Sequence, residues 1–136
     1  MLLSAIPALP VADVARAARQ YAERFGFDPV RVEPGFALLE RDGVRIALWQ
    51  AGERGWQRVG SPPGRSPVRS GAESFLAGTA SCRIQVSRLT ELIAELVGRG
   101  TLHPTKPGPE TTGHGTRELH CQDLDGNRLT FFEQLT

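Results

Sequence analysis

The sequence predicts an α+β fold in which one βαβββ module occurs twice. Two observations lead to this prediction. Each half of the chain contains a segment with the apolar spacing of a helix and, further on, segments that alternate between apolar and polar residues as strands do. Each half also has an Asp-Gly pair directly before its last predicted strand, at 42–43 and 125–126. A shared order of elements in the two halves indicates an internal repeat.

The length of the chain leaves room for one domain. A chain of 136 residues buries roughly two thirds of the surface that it exposes when unfolded, which is enough for a real core. We expect a single domain over 1–136, with the first module at about 1–51, a linker or lid at 52–78 and the second module at about 79–136.

The composition argues against several classes of protein. The chain is 40% hydrophobic and 23% charged, which is typical of globular proteins and not of disordered or fibrous ones. Its 16 basic and 15 acidic residues nearly balance, so neither nucleic acid nor a membrane surface is an expected partner. No apolar run reaches the roughly 20 residues of a membrane span, and the N-terminal segment lacks a basic leader. We therefore expect a cytoplasmic protein, with Cys82 and Cys121 as buried, reduced thiols.

Two helices are predicted from capping residues and apolar spacing. Asp13 is the expected N-cap of the first helix, and Gly26 is expected to end it. Ser87 is the expected N-cap of the second helix, which Gly98 and Gly100 would terminate. The apolar faces consist of Val14, Ala17, Ala18, Tyr21 and Phe25 in the first helix, and of Leu89, Leu92, Ile93, Leu96 and Val97 in the second.

Strands in both halves alternate between a buried face and a polar or aromatic face. In the strand after Asp42-Gly43, Ile46 and Leu48 are expected beneath the helix, and Trp49 is expected on the opposite face together with Arg45 and Ala47. The same alternation is expected in the second half, with Cys82, Ile84, Val86, Leu119, Cys121, Leu129 and Phe131 on the buried face. The outer faces hold Arg83, Glu118, His120, Thr130 and Phe132. Such a face is where a ligand could bind.

The segment between the two halves has two open interpretations. Residues 52–78 are rich in Gly, Pro, Ser and Arg, a composition that favours a mobile linker. The segment is long for a structureless connection, and Trp56 and Phe75 are unusual in a segment that is only solvated. A lid therefore remains an alternative.

These residues resemble one known family. The chain is similar to the vicinal-oxygen-chelate superfamily, which includes glyoxalases, extradiol dioxygenases and bleomycin-resistance proteins, through 5–14, Arg24–Phe27, Arg117–Glu118 and 123–127. These segments look most like the bleomycin-resistance branch. The resemblance covers nearly the whole chain and implies a curved mixed sheet with helices on its convex side.

The resemblance also implies where a metal ion would be held. In metal-using members, one side chain from the first and one from the last strand of each module bind a divalent ion. The matching positions here are Ile6, Ala47, Ser81 and Thr130, which are not a competent set of ligands. A rebuilt site from His114, His120 and Glu118 or Glu133 matches no known metal spacing. We expect no metal and no cofactor, and neither cysteine has a neighbour that would activate it as a nucleophile.

The predicted ligand site combines aromatic and polar side chains. Aromatic rings stack on planar groups, and carboxylates accept hydrogen bonds. For each aromatic residue, packing in the core or in an interface is the alternative, and Glu40 and Gln122 are further candidate acceptors. The predicted binding residues are Phe36, Trp49, Trp56, Glu118, His120 and Phe132.

The bleomycin-resistance branch implies a homodimer that sequesters a drug between its subunits and exchanges its N-terminal segment. The expected partners are therefore a small molecule, with a bleomycin-type antibiotic as a candidate, and a second copy of the chain. One departure is that the chain is near neutral and its central loop carries several arginines, whereas a cationic drug favours an acidic surface. A neutral or anionic ligand is at least as compatible. Two rival functions are a metal-dependent lyase, isomerase or dioxygenase with an unusual ligand set, and a stress-response interaction module.

Overall fold

A computed structural model describes residues 1–51, 78 and 80–136, and each half of the chain folds as one βαβββ module. The first module comprises β1 (Ala8–Val11), α1 (Val14–Gln20, continued by a π-helical turn at Tyr21–Phe25), β2 (Asp28–Glu33), β3 (Phe36–Arg41) and β4 (Val44–Gln50). The second module comprises β5 (Ser81–Gln85), α2 (Leu89–Leu96), β6 (Glu110–Thr111), β7 (Thr116–Gln122) and β8 (Arg128–Gln134). Neither α1 nor α2 is long and apolar enough to cross a membrane, in the part of the chain that the structure describes.

The two modules have the same sheet topology. The strands form two four-stranded sheets with the orders β1-β4-β3-β2 and β5-β8-β7-β6. In each sheet the first strand of the module runs parallel to the last strand, and the remaining neighbours are antiparallel. The predicted fold class and its internal repeat are thereby confirmed. The parallel pairing is possible because the helix and hairpin between the paired strands are long enough to return the chain to the same edge.

The helix ends agree with the prediction in module 1 and differ in module 2. The Asp13 carboxylate accepts a hydrogen bond from the Arg16 N–H at 3.0 Å, and Gly26 ends the helical segment in the left-handed region with φ 71°. The prediction that Ser87 caps α2 is wrong. Arg88 is the N-cap and makes no side-chain capping bond. The helix starts one residue later than expected, so Ser87 precedes the N-cap position. From there its hydroxyl is not placed to accept a hydrogen bond from the free N–H groups of the first turn.

The β3–β4 hairpin turns at the predicted Asp-Gly pair. Asp42 and Gly43 both have positive φ, at 51° and 80°. Two such residues in a row form the type of turn whose twist matches that of the flanking strands. The register of β3 against β4 follows from this turn, which places Phe36 opposite Trp49 and Leu38 opposite Ala47.

One cluster of buried apolar side chains includes residues from both modules. The rings of Phe25 and Phe131 contribute from different modules and lie with their centroids 6.3 Å apart. The predicted alternation is confirmed in β4, where Ile46 and Leu48 are fully buried. It is also confirmed in β8, where Leu129 and Phe131 are buried on the same side. The helices thus cover one face of each sheet and leave the other face for contacts outside the core.

The turn between β7 and β8 connects the two modules through a buried hydrogen-bond cluster. Tyr21 of module 1 donates from its hydroxyl to Asp123 at 2.8 Å, and Asn127 donates from its amide to the Pro10 carbonyl at 2.7 Å. Within the turn, the Asp123 carboxylate accepts from both the backbone and the side-chain amide of Asn127. The Asn127 amide oxygen also accepts from the Ala80 N–H. Burial raises the pKa of the Asp123 carboxyl, while its bonds to Asn127 and Tyr21 oppose that rise.

The replacement Asn127→Ala should destabilise the protein by about 3 kcal/mol, because it leaves buried groups of both modules without partners. Urea unfolding followed by circular dichroism measures the change. Asp125→Ala is the matched control in the same turn, since Asp125 accepts one exposed hydrogen bond from the Ala12 N–H. The control replacement should lower the free energy of unfolding by less than about 1 kcal/mol. Equal losses in the two variants would contradict the role given to Asn127.

Candidate functional site

The outer face of the second sheet carries three of the predicted binding residues in adjacent rows. The register of the strands aligns Arg83, Thr130 and His120 in one row. Glu118 and Phe132 lie in the next row, together with Gln85. Side chains that share a face in neighbouring rows are within reach of one another. The structure therefore brings Glu118, His120 and Phe132 together.

Glu118 is held in an ion pair beneath the surface of this face. Arg83 donates two hydrogen bonds to its carboxylate, at 2.8 and 3.2 Å, and the Thr116 hydroxyl donates a third at 2.7 Å. These contacts lower the pKa of the Glu118 carboxyl to about 2, with the Arg83 hydrogen bond as the main cause and Thr116 as the next. Burial acts in the opposite direction. The carboxylate is therefore ionised and already engaged, and Arg83 lies between it and solvent.

His120 lies at the centre of a second set of polar contacts on the same face. Its Nδ1 is 2.6 Å from an Arg128 guanidinium nitrogen and 3.1 Å from the Thr130 hydroxyl. A guanidinium only donates, so Nδ1 accepts and Nε2 carries the proton. Nε2 then donates to Glu110 at 3.0 Å. The pKa of the Glu110 carboxyl is lowered by its bond to Lys106 and then by its bond to His120. The imidazole is thus oriented by residues of the two neighbouring strands, β6 and β8.

The outer face of the first sheet carries the aromatic pair Phe36 and Trp49. Their ring centroids are 5.1 Å apart in an edge-to-face arrangement, a geometry that stabilises aromatic pairs. Trp49 is 42% exposed, so much of the indole remains available for contact. Ala47, two residues earlier on the same face, is buried. Trp56, the sixth predicted binding residue, lies outside the described residues.

A cavity of about 670 Å³ lies between the first sheet, β5 of the second sheet and the N-terminal segment. One wall belongs to β3 and β4, the other to β5, and the N-terminal segment before β1 lies along it. Its lining residues are Ser4–Pro7, Glu40, Gly43–Arg45 and Arg83–Gln85. None of the five predicted binding residues that the structure describes lines this cavity directly. The Phe132 ring nevertheless lies under the Arg83 guanidinium, with 4.4 Å from the guanidinium carbon to the ring centroid.

Sequence reasoning missed Arg83 and Arg45 as residues of the candidate site. Alternation places both on the outer faces, but their roles depend on which strand lies next to which. The parallel pairing of β5 with β8 brings Arg83 next to Thr130 and within reach of Glu118. A search for arginines on the outer face in the row next to a carboxylate would have found Arg83 once this pairing was known.

Some members of the superfamily that the chain resembles hold a metal ion at four positions. The residues at the matching positions of this chain do not suit a metal ion. Ile6 and Ala47 have no donor atom, and Ala47 is aligned with another alanine, Ala8, in the β1–β4 pair. The Thr130 hydroxyl is bonded to His120. Among residues 1–51, 78 and 80–136, no group of three or more His, Cys, Asp or Glu side chains could hold a metal ion.

The cysteines are free thiols, as the sequence predicts, and Cys121 is buried, whereas Cys82 is only partly buried. Cys82 and Cys121 lie on either side of Leu129 on the face that packs against the core. Burial raises the pKa of each thiol to about 11. Because the thiolate is the nucleophilic form, both are poor nucleophiles at neutral pH.

The sequence and the fold were compared with known proteins. The profile of the Glyoxalase/Bleomycin resistance protein/Dioxygenase superfamily matches residues 5–131. The chain therefore belongs to this superfamily. Within it, the chain is 42% identical over 134 residues to the bleomycin resistance proteins of Geobacillus stearothermophilus and Staphylococcus aureus, with 98% of each chain covered. This similarity confirms the resemblance to the bleomycin-resistance branch.

Solved structures have the same fold at lower sequence identity. A bleomycin resistance determinant encoded on the transposon Tn5 superimposes with a TM-score of 0.70 at 24% identity, and 98% of each chain is covered. A glyoxalase/bleomycin resistance protein/dioxygenase from Nocardioides superimposes with a TM-score of 0.64 at 20% identity, covering 99% of this chain and 86% of the other. At these identities the structures support the fold alone.

The replacement Arg83→Gln should raise the pKa of Glu118 from about 2 towards its ordinary value. The ionised carboxylate then loses its main donor while remaining buried. A group whose pKa is lowered by folding adds stability above its unfolded pKa and loses that contribution as the pH falls towards the folded one. The wild type should therefore lose stability between about pH 4.5 and pH 2 more steeply than the variant does. Carboxyl ¹³C NMR titration measures the pKa directly, and an unchanged value would contradict the ion pair.

Proposed function

We propose that this protein sequesters a small-molecule antibiotic of the bleomycin type, without making or breaking a bond in it. The observation that carries the proposal is the near full-length similarity to proteins named for bleomycin resistance. The cavity between the two sheets supports it, since a volume of about 670 Å³ is within the range of small-molecule sites. The raised pKa values of both thiols favour binding over covalent chemistry.

The proposed binding surface extends from the cavity onto the two outer sheet faces. Trp49 and Phe36 offer an aromatic edge on the first sheet, and Phe132 lies beneath Arg83 on the second. Glu118 and His120 act mainly through their neighbours, because both are buried and already hydrogen-bonded. In this proposal Trp49 stacks directly on the ligand. Glu118 and His120 orient the neighbouring side chains that contact the ligand.

The replacement Trp49→Ala should weaken bleomycin binding about tenfold, because an aromatic stack contributes on the order of 1 kcal/mol beyond the area that it buries. Isothermal titration calorimetry measures the affinity. Val97→Ala is the control, since Val97 is an exposed apolar residue at the end of α2, away from the outer sheet faces.

Tryptophan fluorescence gives a second measure of bleomycin binding. Trp56→Phe is the control there, because it removes the signal of the other tryptophan. Trp49→Ala could instead reduce the yield of folded or assembled protein while the remaining folded protein binds bleomycin with unchanged affinity. Trp49 would then be a structural residue, and the cleft would lie elsewhere. No bleomycin binding to the wild type by calorimetry or thermal shift would contradict the proposed function itself.

We further propose that two copies form a two-fold dimer that completes the binding cleft. The N-terminal Met1, Leu2 and Leu3 are almost fully exposed, and Ile6 is partly so. Every residue of β2 is exposed, including Val30 and Val32, and among the described strands β2 forms an edge of the first sheet. The N-terminal segment leads into β1 at the opposite edge of this sheet. Exposed apolar segments and edge strands favour association, and a two-fold dimer is the commonest closed arrangement. The N-terminal segment also lines the cavity, so association there would close one side of it.

The double replacement Leu2→Ser and Leu3→Ser should shift the dimer towards monomer by removing apolar area from the interface. Light scattering coupled to size exclusion at micromolar concentration measures the mass. Val97→Ser is the control, because Val97 is similarly exposed but follows α2 in the other module. A wild type that elutes as a clean monomer would remove the inter-subunit cleft from the proposal.

Binding should not require a metal ion, because Ile6 and Ala47 offer no donor atom and Thr130 is engaged with His120. We expect purified protein to hold no stoichiometric Ni, Zn, Mn or Fe by plasma emission spectroscopy. Treatment with a chelator should leave the melting temperature unchanged. Tight stoichiometric metal would instead favour the metal-dependent lyase or isomerase.

A further inference from the structure

Arg83 presents a flat, supported surface to the cavity. Its guanidinium lies 4.4 Å above the centroid of the Phe132 ring. Its nitrogens donate two hydrogen bonds to the Glu118 carboxylate, which the Thr116 hydroxyl holds in turn. The group is therefore restrained from below by the ring and by the carboxylate. Its side chain is nevertheless 50% exposed, and Arg83 lines the cavity.

In the two ion pairs that include the cavity arginines, the guanidinium group is more exposed than the carboxylate. Arg83 is 50% exposed and its partner Glu118 only 5%. On the opposite wall, Arg45 is 51% exposed and its partner Glu40 35%. Both ion pairs are neutral overall, but in each pair the positive partner is the more exposed to solvent. An incoming group is thus met by positive charge from both walls.

We infer that Arg83 is a stacking platform that binds the face of a planar conjugated group, neutral or anionic, in preference to a planar cation. A guanidinium is itself planar and weakly hydrated, and stacks on aromatic faces. Here one of its faces is already taken by Phe132, so the free face is the one that a ligand contacts. This inference rests on the proposed function, because it says which part of the sequestered molecule contacts the β5 wall of the cavity. The cationic part of such a molecule would lie away from this wall.

The inference also gives Phe132 a different role from the one predicted from sequence. Direct stacking of a ligand on Phe132 requires Arg83 to leave, and that would strip the buried Glu118 of its main donor. Leaving a buried carboxylate without its ion partner is costly. A ligand that stacks on Arg83 avoids this cost. Phe132 then supports the platform from below and does not contact the ligand.

The test compares three planar probes of one ring system: 2-naphthoate, 2-naphthamide and 2-naphthamidine, which are anionic, neutral and cationic. Each is titrated into the full chain, with binding followed by NMR shifts of the Arg83 Nε–H and of the Trp49 indole N–H. Bleomycin is titrated in parallel. Arg83→Lys keeps the charge and removes the planar group. Arg99→Lys is the matched control, since Arg99 also pairs with a carboxylate, that of Glu95, but follows α2 and does not line the cavity.

The anionic and neutral probes should bind the wild type more tightly than the cation. Arg83→Lys should weaken their binding about fivefold to tenfold, and Arg99→Lys should leave it within about twofold. Tighter binding of the cation, equal losses in both variants or no binding of any probe would overturn the inference. Bleomycin binding that is insensitive to Arg83→Lys would overturn it while leaving the proposed function intact. Probe binding that depends on Arg83, with no bleomycin binding, would support the inference and contradict the proposed function.

Discussion

The relative position of the two modules depends on the buried turn between β7 and β8. Asp123 and Asn127 meet each other's hydrogen-bonding needs, and both also contact module 1, through Tyr21 and the Pro10 carbonyl. Buried polar groups of this kind are costly when they lack partners, so the cluster strongly favours one arrangement over alternatives that an apolar contact alone would tolerate. The apolar core that joins the modules supplies stability, whereas the turn supplies geometric specificity.

This constraint matters for the candidate site because the cavity takes its walls from different modules. Arg45 belongs to β4 and Arg83 to β5, and the described hydrogen-bonded strand pairs all lie within one sheet or the other. The spacing of the walls therefore depends on contacts elsewhere. A second connection, on the helix side, is the bidentate pair between Arg41 and Glu95, at 2.7 and 2.8 Å. It raises the pKa of Arg41 and lowers that of Glu95, with their mutual hydrogen bond as the main cause in each case.

Much of the fold could be predicted from the sequence because its signals are local. Alternation placed Ile46 and Leu48 in the core and Trp49 outside, and the Asp42-Gly43 pair located a hairpin whose φ values only such residues adopt readily. The error at Ser87 is also local. It arose because a serine next to a helical pattern is a good cap only if the first turn starts directly after it, and periodicity does not locate a boundary to one residue.

The site was less predictable because it depends on neighbours that lie far apart in the sequence. Alternation assigned Glu118, His120 and Phe132 to one face, but it could not show that Arg83 covers two of them. That contact arises from the parallel pairing of β5 with β8, which brings together residues nearly 50 positions apart. Glu118 was predicted as a free acceptor for a polar ligand, and the structure places it beneath Arg83 with each carboxylate oxygen hydrogen-bonded.

These internal contacts limit how the second sheet can recognise a ligand. Thr130 and Glu118 lie on the face that a ligand would approach, yet each is bonded to a neighbour and little of either is exposed. A ligand that competed for them would have to repay the lost bonds, so hydrogen bonding to this face gains little net free energy. What remains accessible without such a cost is the outer plane of Arg83. Shape and π-stacking should therefore contribute more to selectivity at this wall than hydrogen bonds to its buried carboxylate, while Trp49 offers a second aromatic surface on the other sheet.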